Sequence, residues 1–152
     1  KPTSKTMKAV LQRCHQASVS VDTKIVGEIG EGLVIFLGVM QGDNEDCARR
    51  LAEKIAKLRI FTDEAGKFHL SLLDVKGEAL VISNFTLYGD ARKGNRPNFM
   101  ASAPPELANQ LYESFVKLLG QQQITVASGV FGADMTVDVS NSGPVTLTLE
   151  MT

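Results

Sequence analysis

The chain has 152 residues, of which 43% are hydrophobic and 22% are charged. These proportions are ordinary for a globular protein and argue against intrinsic disorder. The formal net charge of −1 excludes a polycation, so any contact with nucleic acid has to come from a local basic patch. The longest apolar run, residues 33–40, is much shorter than the roughly 20 residues of a membrane span. Two cysteines, Cys14 and Cys47, are too few for a disulfide framework, and we expect reduced thiols and a cytoplasmic location.

The first third of the chain predicts β-strands. Residues 8–12 are apolar, and residues 17–21 alternate between polar and apolar side chains with the period of a half-buried strand. Residues 22–23 favour a hairpin turn into a second strand at residues 25–29. The apolar run at residues 33–40 then predicts a fully buried strand.

Two amphipathic helices are predicted further along. Asp43 or Asn44 can cap the first helix by accepting hydrogen bonds from its free backbone N–H groups, and the second begins at a Pro-Pro pair and ends at Gly120. We interpret Asp43, Glu45 and Asp46 as surface carboxylates that suit a helix start. Apolar residues at three- and four-residue spacing form the buried faces: Cys47, Leu51, Ile55 and Leu58, then Leu107, Leu111, Phe115 and Leu118.

Short strands extend to residues 79–82, and the chain closes with three more predicted strands, at residues 124–127, 135–139 and 145–151. We expect one α+β domain over residues 7–152, with a largely antiparallel sheet curled into a barrel-like core against two main helices. Residues 1–6 are polar and are interpreted as an N-terminal extension or a cloning remnant outside the fold.

The common catalytic motifs are missing from the sequence. His15 and His69 fit no metal-binding or nucleophile spacing, and no Cys-x-x-Cys, His-Glu-x-x-His or Gly-x-Ser-x-Gly pattern is present. We therefore expect neither a metal nor a cofactor. One candidate segment is Ser83-Asn84-Phe85-Thr86-Leu87, where polar residues follow a buried strand and need hydrogen-bond partners. A strand bend or bulge is the alternative interpretation.

Two later segments also allow two interpretations each. By its local chemistry, Asn141-Ser142-Gly143-Pro144 is a simple turn between two strands. The stretch of residues 92–97 carries Arg92, Lys93 and Arg96 on a loop that contains glycine and proline. Its three cations could contact phosphate groups, and a solvated loop explains them equally well.

Together these segments resemble the D-aminoacyl-tRNA deacylase family, and the resemblance covers residues 7–150. Residues 83–87 are similar to the family's Ser-Gln-Phe-Thr-Leu signature, and residues 141–146 match its Asn-x-Gly-Pro-Val-Thr signature. Residues 92–97 resemble its basic loop, and residues 131–135 resemble the segment that leads into its last strands. Asn84 departs from the pattern, because the family usually has Gln there; the amide is kept but shortened by one methylene.

The resemblance implies a homodimeric enzyme that hydrolyses the ester between a D-amino acid and the terminal ribose of tRNA, without metal or cofactor. Catalytic residues carried over are Ser83, Asn84, Phe85 and Thr86. Backbone N–H groups around Phe85 and Thr86 would polarise the ester carbonyl, and the adjacent ribose hydroxyl would help to activate water. No histidine or lysine in the motif could activate Thr86 as a nucleophile, so we favour a positioning role for it.

The resemblance also implies how the D configuration is selected. Gly143-Pro144, next to Asn141, would carry a cis peptide bond and reach into the active site of the other subunit, where it excludes L side chains. Glycine esters would not be rejected. Arg13 would hold this segment in place, and Phe131 and Met135 would contact the terminal adenine unless they are core residues.

Two alternatives remain from the sequence. The first is a non-catalytic nucleic-acid-binding protein that uses the basic loop. The second is a related deacylase that removes a mischarged L-amino acid, which would need a differently placed Gly-Pro segment.

Overall fold

A computed structural model describes residues 6–152. Of the proposed extension at residues 1–6, residues 1–5 lie outside the described part. Thr6 is buried, and its carbonyl accepts a hydrogen bond from the Tyr88 hydroxyl at 2.6 Å. Thr6 is therefore packed against the rest of the described chain.

The predicted strands at the start of the chain form one long strand, β1, at Met7–Val21. Asp22 and Thr23 adopt positive φ angles of 50° and 68°, which is the turn geometry that joins twisted strands into a hairpin. The hairpin leads into β2 (Lys24–Ile29), and β3 (Gly32–Gly38) is almost completely buried. The hairpin and the buried strand are confirmed.

The first helix, α1, spans Glu45–Lys57 and is capped by Asn44, whose side-chain oxygen accepts the Cys47 N–H at 3.0 Å. The surface interpretation of Asp43 was wrong. Its side chain is only 5% exposed, and it accepts the Met40 N–H at 2.7 Å. Burial raises the pKa of this carboxyl. Asp43 thus closes the turn between β3 and α1, while Asn44 caps the N-terminus of the helix.

The rest of the chain contains five more strands, a 3₁₀ turn and the second helix. They are β4 (Phe61–Thr62), β5 (Phe68–Leu70), β6 (Glu78–Ser83), a 3₁₀ turn (Phe85–Tyr88), α2 (Pro105–Gly120), β7 (Thr125–Ser128) and β8 (Thr136–Met151). Within residues 6–152, no helix combines the length and the apolarity needed to cross a bilayer.

The main sheet is mixed, so the prediction of a largely antiparallel sheet was only partly right. β1 pairs antiparallel with β2, β3 and β8, but β3 pairs parallel with β6, and β6 with β7. The chain between β3 and β6 crosses over through α1 and the small β4–β5 hairpin, and β6 therefore returns in the same direction as β3. β2 approaches β7 so closely that a Cβ on Gly27 would lie 2.7 Å from the Ser128 carbonyl oxygen. The sheet is thus nearly closed, as a barrel-like core requires.

The single domain has two apolar cores, one on each side of β1, β3 and β6. The larger core packs α1 and α2 against one face of the sheet through residues such as Leu51, Ile55 and Phe115. The smaller core fills the inside of the nearly closed sheet, with Val19 and Leu80 at its centre. The barrel-like α+β domain with two main helices is confirmed in this form.

Candidate active site

A cavity of about 700 Å³ opens where the parallel strands β3 and β6 end. Ligand sites commonly lie beyond the carboxyl ends of parallel strands, because the connecting segments diverge there. Most of the wall is apolar, with Val39, Ile82 and Ala103 among the lining residues. Residues predicted from the sequence also line it: Ser83, Asn84, Phe85, Thr86, Phe131 and Met135. Two segments that are 45 residues apart in the chain therefore line one cavity.

The Ser-Asn-Phe-Thr segment lies at the cavity because β6 ends there. Ser83 is the last residue paired with β3, and the Asn84 N–H donates to the Leu37 carbonyl at 2.8 Å. The chain then enters the 3₁₀ turn, and Asn84 caps it by accepting the Thr86 N–H at 3.2 Å. The polar residues thus terminate a strand and begin a turn, instead of forming a bulge within the strand.

Two side chains that the sequence did not assign to the site hold this turn in place. The buried Tyr88 hydroxyl shares its one hydrogen between the Thr6 and Gly38 carbonyl oxygens, which lie 2.6 and 3.0 Å away, and burial raises the pKa of Tyr88. Ser102 donates its hydroxyl hydrogen to the Phe85 carbonyl at 3.0 Å. Tyr88 follows the motif directly and could have been inferred from that position. Ser102 could not, because its contact depends on the tertiary fold.

The backbone donors of the turn are not equivalent. Phe85 N–H makes no hydrogen bond to any of residues 6–152, as is usual for the first N–H of a helical turn. Thr86 N–H is occupied by the Asn84 side chain, and the Thr86 hydroxyl also donates to Asn84 Oδ1. An amide oxygen is not a base that could activate a hydroxyl. The contact favours a positioning role for Thr86.

An aromatic pair stands at the mouth of the cavity. Phe85 is 58% exposed, and its ring meets the ring of Phe99 edge to face, with centroids 5.3 Å apart. On the other side of the cavity, Phe131 contacts Tyr112 of α2, with ring centroids 6.1 Å apart. Phe131 and Met135 are half-buried, so they have surface to offer a ligand and are not fully buried core residues. The sequence analysis did not identify Phe99.

The Asn141–Thr146 segment is a bulge inside β8, and the prediction of a turn between two strands was wrong. Thr146 pairs with Gln12 and Asn141 pairs with Cys14, so four residues of β8 lie opposite one residue of β1. The surplus residues protrude from the sheet. Gly143 has φ 128°, the Gly143-Pro144 peptide bond is cis, and both residues are exposed.

Asn141 and Arg13 hold the bulge from its two sides. Asn141 Oδ1 accepts the Val145 N–H at 2.8 Å, and its amide group donates to the Thr146 hydroxyl at 3.1 Å. Arg13 donates from Nε to the Ser142 carbonyl at 3.1 Å and from a terminal nitrogen to the Ile60 carbonyl at 3.0 Å. The structure brings Arg13, Asn141, Gly143 and Pro144 together, but none of them lines the cavity in the same chain.

The basic segment forms a small hairpin next to the cavity mouth. Asp90 and Asn98 exchange two backbone hydrogen bonds at its base, at 2.7 and 2.9 Å. Arg92 forms a two-pronged ion pair with Asp90, which lowers the pKa of that carboxyl to about 2. Lys93 and Arg96 are exposed and make no ion pair within the described residues. Of the three cations, these two have their charge free for a ligand.

Neither the cysteines nor the histidines contribute to the cavity. Cys14 and Cys47 are buried free thiols, and burial raises the pKa of Cys14 to about 11. His15 and His69 are exposed at other places on the surface. Within residues 6–152, no group of three or more His, Cys, Asp or Glu side chains is arranged to hold a metal ion.

Comparison with known proteins gives consistent matches. The family model described as D-Tyr-tRNA(Tyr) deacylase matches residues 10–150. A D-aminoacyl-tRNA deacylase from Fervidobacterium nodosum is 56% identical over 144 residues, which cover 95% of this chain and 97% of the relative. A D-aminoacyl-tRNA deacylase from Carboxydothermus hydrogenoformans is 52% identical over 145 residues, with 95% and 100% coverage.

Two solved structures are also similar. A c-Myc DNA unwinding element binding protein has a TM-score of 0.87 and 38% identity, covering 93% of this chain and 97% of its own. A probable eukaryotic D-amino acid tRNA deacylase has a TM-score of 0.84 and 17% identity, covering 95% and 99%. At that identity, the second structure supports the fold alone.

Proposed function

The chain belongs to the D-aminoacyl-tRNA deacylase family of hydrolases, and from that premise we propose how its residues perform the reaction. The cavity at the ends of β3 and β6 binds the aminoacylated 3′ end of tRNA. The ester is hydrolysed there, and the products are a free D-amino acid and tRNA. One observation carries this proposal. The Ser-Asn-Phe-Thr turn, with its free Phe85 N–H, and the half-buried Phe131 and Met135 line the same cavity of about 700 Å³.

Catalysis in this proposal rests on positioning and on stabilising the oxyanion. An ester is already activated, and preorganised N–H donors can supply a large share of the rate enhancement. Phe85 N–H is free to donate to the carbonyl oxygen, and the ribose hydroxyl next to the ester assists the attacking water. Thr86 shapes the turn and forms no covalent intermediate.

The bulge at Gly143-Pro144 supplies chiral selection from a second copy of the chain. It is exposed, rigidly tied by Arg13 and Asn141, and absent from the cavity of its own chain. In a homodimer, its backbone would occupy the space that an L side chain needs and leave a D side chain free. A glycyl ester has no side chain to exclude, so we expect Gly-tRNA to be hydrolysed too.

The tRNA contacts are assigned by charge and by shape. Lys93 and Arg96 contact phosphates near the acceptor end, and Arg92 contributes less because Asp90 already binds it. Phe131 and Met135 pack against the terminal adenine, whose flat apolar face suits their half-buried side chains. A tRNA substrate is consistent with a cytoplasmic protein.

The test is the hydrolysis of D-Tyr-tRNA, L-Tyr-tRNA and Gly-tRNA in the presence of a chelator, by the natural sequence and by Pro144→Ala. We expect the D and glycyl esters to be lost and the L ester to survive, with activity or selectivity reduced in the variant. Sedimentation at micromolar concentration should give a dimer. Survival of all three esters would overturn the proposal.

One observation favours a second candidate function. The solved structure that is 38% identical is a DNA unwinding element binding protein, so we propose DNA binding through the basic hairpin as the alternative. DNA binding predicts salt-sensitive affinity for duplex or single-stranded DNA that depends on Lys93 and Arg96 but not on Thr86 or Pro144. A chain that hydrolyses no ester but binds DNA in this way would favour the alternative. Hydrolysis of L-Tyr-tRNA in place of the D ester would indicate a deacylase of mischarged L-amino acids.

A further inference from the structure

Two phenylalanine rings are exposed at the mouth of the proposed active site. Phe85 is 58% exposed and Phe99 is 37% exposed, and both line the cavity. Their rings meet at 72° with centroids 5.3 Å apart. In an edge-to-face pair of this kind, each ring keeps a face that its partner does not cover. Apolar surface that is exposed at the entrance of a cavity is typical of a binding site.

The backbone on both sides of Phe99 is held in place. Asn98 exchanges two backbone hydrogen bonds with Asp90, and its side-chain oxygen accepts the Met100 N–H at 2.7 Å. A Cβ on Gly89 would lie 2.9 Å from Phe99 Cε1, so the ring occupies the space that a side chain at position 89 would fill. The Phe99 ring is therefore fixed before a ligand binds, which lowers the entropic cost of stacking on it.

The aromatic pair is continuous with the basic hairpin. Phe99 directly follows Asn98, which closes the base of that hairpin. Lys93 and Arg96 on the hairpin are exposed and make no ion pair within the part of the chain that the structure describes. Exposed aromatic rings beside unpaired cations are the combination with which proteins bind single-stranded nucleic acid, because bases stack on the rings while the cations contact the phosphates.

The proposed substrate would bring one further nucleotide to this aromatic pair. Under the proposed function, the ester lies at the Phe85 N–H, and the terminal adenine packs against Phe131 and Met135 inside the cavity. The 5′ phosphate of that adenosine connects it to the preceding nucleotide, which has to lie at the mouth because the rest of the tRNA is outside. The 3′ end of tRNA is single-stranded, so the base of this nucleotide is free to stack on protein side chains.

We infer that Phe99, together with the exposed ring of Phe85, forms a stacking site for the base of the nucleotide that precedes the terminal adenosine. This inference rests on the proposed function and extends its substrate site by one nucleotide. The site binds a base without selecting which one, since every base offers a flat π face. It gives a tRNA end an advantage in affinity over an aminoacylated adenosine alone.

The test compares three competitive inhibitors of D-Tyr-tRNA hydrolysis: adenosine, the dinucleotide CpA, and the same dinucleotide with an abasic ribose in place of the cytidine. The abasic compound keeps the phosphate and lacks the base, so the difference between it and CpA measures stacking alone. With the natural sequence, CpA should inhibit roughly tenfold more strongly than the abasic compound, an effect typical of one stacked base. In Phe99→Leu this difference should fall below about twofold, while inhibition by adenosine stays the same.

Two further variants control for the loss of the ring. Phe99→Tyr keeps an aromatic face and should restore the advantage of CpA, which separates stacking from the filling of space. Ile25→Ala is the matched control, because Ile25 is also exposed, at 57%, but does not line the cavity. It should leave all three inhibition constants unchanged.

The comparison of CpA with the abasic compound needs no variant, so it tests the inference even if Phe99→Leu folds poorly. Equal inhibition by these two compounds with the natural sequence would overturn the inference. An undiminished advantage of CpA in Phe99→Leu would overturn it too, as would an equal loss of adenosine and CpA binding, since the ring would then only support the cavity. If the natural sequence hydrolyses no D-Tyr-tRNA, the proposed function itself fails; an active natural sequence that does not distinguish CpA from the abasic compound removes only the stacking site.

Discussion

The two signature segments are built in contrasting ways. Residues 83–86 lie at the end of a buried parallel strand and line a cavity, where Asn84 accepts from Thr86 and the Phe85 N–H remains free. Residues 141–146 leave an exposed antiparallel strand, and their backbone projects away from the sheet. The first segment presents hydrogen-bond donors to a ligand in the cavity. The second presents a rigid backbone on the outer surface of its own chain.

Under the proposed mechanism, this contrast explains why one copy of the chain would form only part of the site. Within residues 6–152, the cavity has donors and apolar walls but no fixed element that distinguishes a D from an L side chain by its position. The bulge is such an element, with Val145 buried to anchor it and Gly143 exposed beside it. The cavity supplies the hydrogen-bond donors, and the bulge supplies a fixed shape. In a two-fold symmetric dimer, the bulge of one chain would lie at the cavity of the other.

The largest effect is expected from a change in the bulge itself. Gly143 has φ 128°, and an added Cβ would lie 2.8 Å from Val145 Cγ2 and 3.1 Å from the Arg13 guanidinium. Gly143→Ala should therefore displace the bulge. Because a misplacement of about 1 Å can cost a hundredfold in rate, we expect a loss of that order in D-Tyr-tRNA hydrolysis or in D-over-L selectivity.

A matched control exists at Gly66, which also has a positive φ, 78°, but has open space around its Cα. Gly66→Ala should lose stability by roughly 1 kcal/mol through backbone strain and keep its full activity and selectivity. Both variants would be compared by urea unfolding and by hydrolysis of the two tyrosyl esters. An active, selective Gly143→Ala would show that the bulge is not the chiral filter.

The positions of the helices and strands along the chain were easier to predict than the pairing of the strands. The period of the apolar residues located both helices and most strands, because burial follows the local repeat of each element. It could not show that β6 pairs parallel with β3 across a crossover of 39 residues, since strand pairing depends on contacts far apart in sequence. The turn predicted at Asn-Ser-Gly-Pro failed for the same reason. Its residues have the composition of a turn, but β1 pairs with β8 on both sides of them.

A smaller effect is expected at Arg13, which acts on the bulge from behind. Its guanidinium bridges the Ser142 and Ile60 carbonyls and lies 5.8 Å from the ring centre of Phe68. A lysine cannot reproduce this fork, because its charge sits on a single nitrogen. Arg13→Lys should lower D-over-L selectivity about tenfold, since one carbonyl loses its partner at a cost of about 1–3 kcal/mol.

The control is Arg49→Lys, at an exposed ion pair on α1 that has no contact with the bulge. It should change stability by less than about 1 kcal/mol and leave the selectivity unaltered. Equal selectivity in the two lysine variants would mean that the bulge keeps its shape without the guanidinium.

The basic hairpin should affect binding but not chemistry. Lys93→Ala or Arg96→Ala should each raise KM several-fold at physiological salt and reduce the slope of log affinity against log salt by about 0.7–0.9. Arg92→Ala should have the smaller effect, because Asp90 already neutralises its charge. The measurement is a salt titration of deacylation at low tRNA concentration. A larger effect at Arg92 than at Lys93 would mean that tRNA breaks the Asp90 ion pair when it binds.

The residues around the cavity were predicted from the resemblance, and their contacts were not. The four residues of the predicted motif, Ser83, Asn84, Phe85 and Thr86, line the cavity. The occupation of Thr86 N–H by Asn84 is a property of side-chain length in one turn, which a signature with glutamine cannot show. Phe99 and Ser102 were not assigned to the site because they follow the basic hairpin in sequence, and only the folded chain brings them to Phe85.

A change at Thr86 separates positioning from covalent catalysis. Thr86→Val keeps the shape of the side chain and removes the hydroxyl, which is one of the two groups that hold Asn84 Oδ1. The Thr86 N–H remains to orient the amide, so hydrolysis of D-Tyr-tRNA should fall by no more than about tenfold, the cost of one neutral hydrogen bond. Loss of a nucleophile would instead cost on the order of 10⁴ or more. Because the two results differ by about three powers of ten, a single-turnover rate decides between a hydroxyl that holds its neighbour and one that attacks the ester.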